Sequence, residues 1–575
     1  MKKTKNCGGV KKSKIALVAG VMLSAGLALT GCGVNNNSQN ENQSQSENQE
    51  TSYSIAYDLN GGTGIENTNY VLENDSVTLP TNVTRAGYVF DGWYLDGSEV
   101  TSISKDTFKN SDKNSLTIKA KWSAIDYAIT YNLDNGKLAE DVVKSYTVED
   151  EDIILPTPTK AGYVLDGWLL NGSKVTIVSE DTIKNVDGNN IALEAKWLEA
   201  FTYSDDTKTV ITGLTSDASN ATEVVVPKSV TTIYGTSYSD GAFAKNTTLQ
   251  KVIFEDDSQL TSIGDYAFWC CSKLACITIP NSVISIGRCA FGNCYDLTSV
   301  VIEEGSRLSS VGDCAFDCPK LQYNTYDNAE YLGNSEDKCI ILVKAKSKDI
   351  TSCEINEECK VIYHGAFSYC SGLTSITIPN SVISIEYNAF SYCSNLTSIT
   401  IPASVTNIGE SAFQECSNMV AVTFKEGIQL KNIGSYTFSH CSELTSITIP
   451  VNIVNIGKCA FSYCSKLESV FFEKGSQLIS IQNDSFVNCS SLTSITIPNN
   501  VKYIGNWAFQ FSNLTSVYYL GSADEWSSIS IGSSNTSLTN ATRYYYSETE
   551  PTDTTNKYWH YDSDGNIVVW TKSIT

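Results

Sequence analysis

The stretch Leu373-Thr374-Ser375-Ile376-Thr377-Ile378-Pro379-Asn380-Ser381-Val382-Ile383-Ser384-Ile385, closed by Ala389-Phe390-Ser391-Tyr392-Cys393, recurs along more than half of the chain. Marking each recurrence by its phenylalanine gives Phe243, Phe268, Phe291, Phe316, Phe367, Phe390, Phe413, Phe438, Phe461, Phe486 and Phe509. The spacings are 25, 23, 25, 51, 23, 23, 25, 23, 25 and 23 residues. A period held this closely defines one supersecondary unit per repeat and predicts a solenoid. The interval of 51 is about two units, so a diverged coil is expected between Phe316 and Phe367, and about twelve coils of 23–25 residues result. In the longer variety the two extra residues fall in a turn such as Glu473-Lys474-Gly475-Ser476-Gln477-Leu478, where insertion costs little.

Within a coil, Leu373, Ile376 and Ile378 sit at the spacing of a short strand with its apolar side turned inward. Pro379 ends that strand because it cannot donate a ladder hydrogen bond. Val382 and Ile385 turn in again, a glycine often follows, and the Ala-Phe pair seats its ring between layers. One such coil buries too few side chains to offset the entropy of ordering its residues, so stacking is obligatory. The pattern I-T-I-P-x-S-V-x-x-I-G-x-x-A-F-x-x-C resembles the BspA-like leucine-rich repeat over roughly residues 221 to 520. The resemblance implies a mainly β, leucine-rich-repeat solenoid from a bacterial surface protein.

Cysteine follows the marker phenylalanine by three residues in eight coils: Cys271, Cys294, Cys370, Cys393, Cys416, Cys441, Cys464 and Cys489. Outside the cell a disulfide framework is the first expectation. Once Cys7 and Cys32 are set aside, however, 17 of the 19 cysteines remain, an odd number, and in-phase positions form a ladder rather than designated pairs. Mostly free thiols, packed as small hydrophobes, are the reading adopted. The outward positions of the strand form a hydroxyl column with little charge. Ser375, Thr377, Ser398, Thr400, Ser446, Thr448, Phe471, Ser494, Thr496 and Tyr518 are its candidate ligand-binding residues, flanked by Tyr369, Tyr392 and Tyr463. Ser and Thr also suit exposed strands without any ligand, but repeat solenoids use such extended surfaces for protein or glycan binding.

Two copies of a β module precede the repeats. Gly87-Tyr88-Val89-Phe90-Asp91-Gly92-Trp93 corresponds to Gly162-Tyr163-Val164-Leu165-Asp166-Gly167-Trp168, and Ala120-Lys121-Trp122 to Ala195-Lys196-Trp197. Their openings alternate apolar with polar residues and then turn, which is strand and hairpin chemistry. Each copy resembles the Listeria-Bacteroides repeat, also called the internalin-B-type B repeat, which implies a small β-grasp-like module serving as a spacer or weak binding unit. The four tryptophans are expected to be module core rather than a sugar-stacking platform.

Six lysines between Lys2 and Lys14 precede an apolar run from Ile15 to Leu29, shorter than the ~20 residues of a membrane span and suited to a secretory leader. Leu29-Thr30-Gly31-Cys32 then resembles a bacterial lipobox, which implies cleavage before Cys32 and lipid attachment to it. Gly33 to Ser52 is nearly all Asn, Gln, Ser and Glu and reads as a disordered tether. The expected organisation is a lipoprotein signal peptide (1–31), linker (32–52), β modules (53–123 and 124–198), solenoid (199–520), and a C-terminal cap and tail (521–575) with a hairpin turning at Asp564-Gly565.

A net charge of −23 and an isoelectric point near 4.6 argue against nucleic acid. Three scattered histidines, His364, His440 and His560, give no basis for a metal or general-base site, and no nucleophile elbow, zinc-protease or phosphate-loop motif occurs. No cofactor is expected. The sequence therefore points to a non-enzymatic, lipid-anchored protein on the outer face of the membrane, presenting the solenoid for adhesion to an extracellular protein or glycan. A structural envelope or spacer role and, last, a hydrolase accessory are the alternatives. Intact mass of the mature N-terminus checks the anchor: acyl chains on Cys32 are expected, and their absence refutes it.

Overall fold

Alternating residues in Tyr53–Asp58 put Ile55 and Tyr57 on the buried side of a strand, and the first module grows from it. The computed structural model describes residues 53–66, 68–70, 76–109, 114–334, 339–552 and 555–571; the leader, Cys32 and the tether lie outside these. The chain divides into two units, one holding most of the paired modules and one the repeats. In the first module five strands run in the order Thr68–Tyr70, Tyr53–Asp58, Ser115–Ala124, Tyr88–Leu95, Ser98–Val100. The second and third are parallel and the remaining pairs antiparallel. Trp93 is buried, and its Nε1 donates to the Pro80 carbonyl at 2.7 Å. The second copy keeps these features: Tyr127–Asn132 is parallel to Asn190–Glu199, and buried Trp168 donates to the Pro156 carbonyl at 2.8 Å. Trp122 and Trp197 are only half-buried, so the core role falls chiefly on the first tryptophan of each copy.

The repeats form a β-solenoid of about 14 turns, with helix at 4% of the chain. One side of the stack is a column of parallel strands, among them Lys251–Phe254, Cys276–Ile279, Ser398–Ile401, Ala421–Phe424 and Ser446–Ile449. A second column is made of two-residue strands such as Ser262–Ile263 and Ser285–Ile286, each contributing one buried isoleucine or valine. On the third side the marker phenylalanines stack. Ring centroids of successive coils lie 4.7 to 5.6 Å apart and within 13° of parallel, from Phe243 to Phe316 and again from Phe367 to Phe509.

The backbone on that third side has no strand, yet alternate donors are satisfied by the next coil. Phe390 N–H donates to the Ala412 carbonyl at 2.7 Å, and two residues later Tyr392 N–H donates to the Gln414 carbonyl at 2.8 Å. Successive donors can both point along the stack because the second residue takes a left-handed conformation: φ is +63° at Tyr369, +60° at Tyr392, +61° at Glu415 and His440, and +59° at Tyr463. That conformation is uncommon for residues with a side chain, and here the ladder bond holds it. The cysteines complete the same rung from inside. Cys393, Cys416, Cys464 and Cys489 are buried, and each thiol donates at 3.2 Å to the carbonyl of the marker phenylalanine one coil earlier. No disulfide joins any two of the 17 described cysteines.

Two departures from the expected array matter. Past Tyr518 the stack continues: Ser530–Ile531 pairs with Tyr503–Ile504, and Thr542–Tyr546 with Ser516–Tyr519, all parallel. These late turns lack the phenylalanine marker, so about twelve coils were legible where about 14 exist. Asn535 Oδ1 accepts the Phe509 N–H at 3.0 Å in place of a carbonyl. The expected hairpin follows, Tyr558–Tyr561 against Ile567–Val569, with Asp562 Oδ1 accepting from Asp564 and Asn566 N–H at its turn. Its Trp559 is fully buried and donates to the Tyr519 carbonyl at 3.1 Å.

The second departure lies between Phe316 and Phe367. The coil expected there is present in part, since Ile341–Ala345 pairs in parallel with Val361–Ile362. Before it the chain runs as an antiparallel meander of Asn324–Tyr326, Ala329–Leu332 and Ile341–Ala345, which extends the sheet of the second column. Ala345 donates to the Ala366 carbonyl, the bond a marker phenylalanine otherwise makes, so the ring column skips a layer. Phe316 N–H turns instead to the Tyr363 hydroxyl at 3.2 Å. Glu386 stands where the next coil has Gly409 and the preceding one Tyr363; its Oε1 accepts from Val311 N–H at 3.2 Å and Ser384 Oγ at 2.7 Å, bonding residues on either side of the break.

Burial raises the Glu386 carboxyl above the ordinary range, an effect its hydrogen bonds partly oppose. Folding thus favours the protonated acid: stability from this group is full below the ordinary carboxylate pKa and is lost as pH rises through the raised one. Glu386→Gln is expected to be more stable than wild type by on the order of 1 kcal/mol at pH 8, with the gap closing near pH ~4 in urea titrations. A gap that widened on acidification would contradict this. Burial also pushes the Cys416 and Cys464 thiols up to about 12. In a native chain beginning at Gly33, an aromatic disulfide reagent at pH 8 should therefore spare the buried column and react with it only after denaturation; prompt native labelling of Cys416 would show the column to be open.

Candidate functional site

The strand column brings the sequence-selected residues into one file. Ser375 pairs with Ser352 and Thr377 with Glu354; Ser398 pairs with Ala421 and Thr400 with Thr423; Ser446 pairs with Ser469 and Thr448 with Phe471; Ser494 pairs with Ser516 and Thr496 with Tyr518. Alternation in each strand turns these positions outward because Ile376, Ile399, Ile447 and Ile495 between them face the core. Ser375, Thr377, Ser398, Thr400, Ser446 and Thr448 are exposed; Ser494 and Thr496 are half-buried. Phe471 presents a ring that is 56% exposed. Tyr518 is drawn into the C-terminal turns, stacked on Tyr544 at 5.1 Å with Trp559 edge-on at 5.5 Å. The middle of the file, Ser398 to Phe471, carries no ionisable side chain among its paired outward positions. Chemically it can exchange hydrogen bonds and cover apolar area without a strong charge preference.

A second exposed file follows from the left-handed positions two residues after each marker phenylalanine. Tyr369 and Tyr392 stack at 4.6 Å, and His440 and Tyr463 at 4.5 Å. Phe511 continues it and is 56% exposed. Three of its tyrosines were recognised in the sequence as flanking residues, while His440 and Phe511 were not; the fixed offset from the marker would have identified both. A cleft of about 510 Å³ at the break in the ring column escaped sequence reasoning altogether, its only trace being the 51-residue interval.

Among the described residues no group of three or more His, Cys, Asp and Glu converges as metal ligands would. His364 stacks on Tyr387 at 5.4 Å and His560 on Trp570 at 3.9 Å, so the three histidines serve in separate aromatic contacts. No described helix is long and apolar enough to cross a membrane.

Known proteins match these two architectures separately. The Listeria-Bacteroides repeat domain matches residues 53–121 and 127–196. Internalin H of Listeria monocytogenes is 29% identical over 119 residues, which is 20% of this chain and 20% of internalin H; the chain thus spans about a fifth of that relative. A leucine-rich repeat protein of Eubacterium ventriosum has a crystal structure that is 27% identical, covering 51% of this chain and 77% of its own, with a TM-score of 0.31. A leucine-rich cell surface protein of Faecalibacterium prausnitzii is 26% identical, covering 57% and 95%, with a TM-score of 0.21. The BspA type leucine rich repeat region matches residues 216–336, 345–432 and 421–539, more than half of the sequence, and the chain belongs to that family of leucine-rich-repeat surface proteins.

Proposed function

We propose that this protein is held at the outer face of the cell membrane by a lipid on Cys32 and uses the outward strand column to adhere to an extracellular protein or glycan. The observation that carries the reading is the in-register file from Ser375 to Thr496: neutral, hydroxyl-rich, and interrupted by Ala421 and the exposed Phe471 ring. A flat file of this kind suits a partner contacted at many weak points, because each coil repeats the same donors and acceptors at the ~4.8 Å strand spacing. The polar residues 33–52 then act as a tether, and the β modules of 53–198 as spacers that lift the solenoid from the bilayer.

Charge placed in the file tests this reading, since an unpaired ammonium group buried at the contact opposes binding. The full chain with Cys32 changed to Ala, probed on arrays of extracellular proteins and glycans, should bind a discrete set. The combined variant Ser375→Lys, Thr377→Lys, Ser398→Lys, Thr400→Lys should weaken that binding by about tenfold or more without changing the melting temperature. Binding no stronger than that of a chain with scrambled surface residues, or binding indifferent to the four lysines, removes the proposal.

A further inference from the structure

We infer that the break in the phenylalanine column is a carbohydrate site, built to take a neutral mono- or disaccharide unit. In regular coils each marker ring is covered by the next about 5 Å away, and the gap closes. At Phe316 the next layer holds Ala345, and Tyr363 approaches at 6.2 Å and a 49° tilt instead of stacking. The missing ring leaves the cleft of about 510 Å³, within the usual range of small-ligand sites.

Its lining combines what a sugar ring requires. Tyr295, 53% exposed, and the half-buried Tyr323 give aromatic surface, with Phe316 and Tyr363 buried behind them. The apolar C–H face of a pyranose packs on such surfaces. Asp317 and Asn293 add a carboxylate acceptor and an amide that both donates and accepts, matching hydroxyls that do both. Lys344 lies 4.8 Å from the Tyr323 ring centroid, and its Nζ is already paired with Glu330 Oε2 at 3.2 Å. No uncommitted cation is therefore offered to an anionic ligand by this lysine, and the ligand indicated is polar but uncharged. Burial lifts the Tyr323 hydroxyl to about 12, keeping it a donor across the physiological range. The cleft shares no residue with the outward column, so failure of either reading leaves the other standing.

Saturation-transfer NMR on the full chain carrying Cys32→Ala, with methyl glycosides of glucose, galactose, mannose, fucose, N-acetylglucosamine and N-acetylgalactosamine and with lactose, tests the site. At least one of these should bind at millimolar concentration. Tyr295→Ala and Asp317→Ala, both at exposed positions, should each weaken it about tenfold with an unchanged melting temperature. Ser375→Lys with Thr377→Lys should leave it unaffected. Binding of none of the sugars, sugar binding indifferent to both cleft variants, or binding only of sialic acid, inorganic phosphate or N-acetyltyrosinamide each overturns the proposal.

Discussion

The contact between one coil and the next is the constraint on which the rest depends. A single coil has its hydrophobic residues arranged in a thin triangle with open top and bottom, and only a neighbour can cover them. The phenylalanine column shows this most directly, because each ring is a floor for one layer and a ceiling for another. Stability in such an array is a sum of nearest-neighbour interfaces, so both ends need a lid. At the first end Phe201, on a strand paired antiparallel with Val210–Leu214, sits edge-on to Phe243 at 6.1 Å. At the last end Trp559 fills the corresponding role by covering Tyr518 and Tyr519.

That constraint also accounts for chemistry that could be mistaken for a site. Eight in-phase cysteines in a surface protein suggest disulfides or a metal ladder, but the inward position sets each thiol against a carbonyl of the preceding coil, that of its phenylalanine in seven cases and that of Ser347 for Cys370. A serine hydroxyl there would be more strongly hydrated when unfolded and would lose more on burial, whereas a thiol is a weak donor in an apolar body. The left-handed residues beside the phenylalanines follow from the same requirement. Glycine would adopt the conformation more easily, yet tyrosine, histidine and glutamate occur there, held by the ladder and with side chains directed to the surface.

What could be read from the sequence was whatever repeats. Leu373, Ile376, Ile378, Val382, Ile385 and Phe390 recur at fixed offsets, and each of them is buried as those offsets require. The outward direction of Ser375 and Thr377 followed from the same alternation. Features that occur once left no period to detect. The last turns replace the marker phenylalanine by Asn535 and its neighbours. The strands Asn324–Tyr326, Ala329–Leu332 and Ile341–Ala345 pair antiparallel, a topology that a repeat count cannot express. Glu386 occupies a position that most coils give to glycine, and its bond to Val311, 75 residues earlier, depends on the break being where it is.

Strict repetition and selective recognition pull in opposite directions. A column in which every coil offers the same hydroxyls cannot distinguish one coil from another, so its partners are held by number and register more than by any single contact. Selectivity for a particular small group requires a place that is unlike its neighbours. The solenoid has one such place where the ring column skips a layer, and the sequence maintains it at a cost: a buried carboxylate at Glu386, a tyrosine hydroxyl standing in for a ladder carbonyl, and an antiparallel excursion inside a parallel stack. A coil of the ordinary kind would have closed the gap with none of these, which makes the irregularity harder to explain as packing alone than as a site.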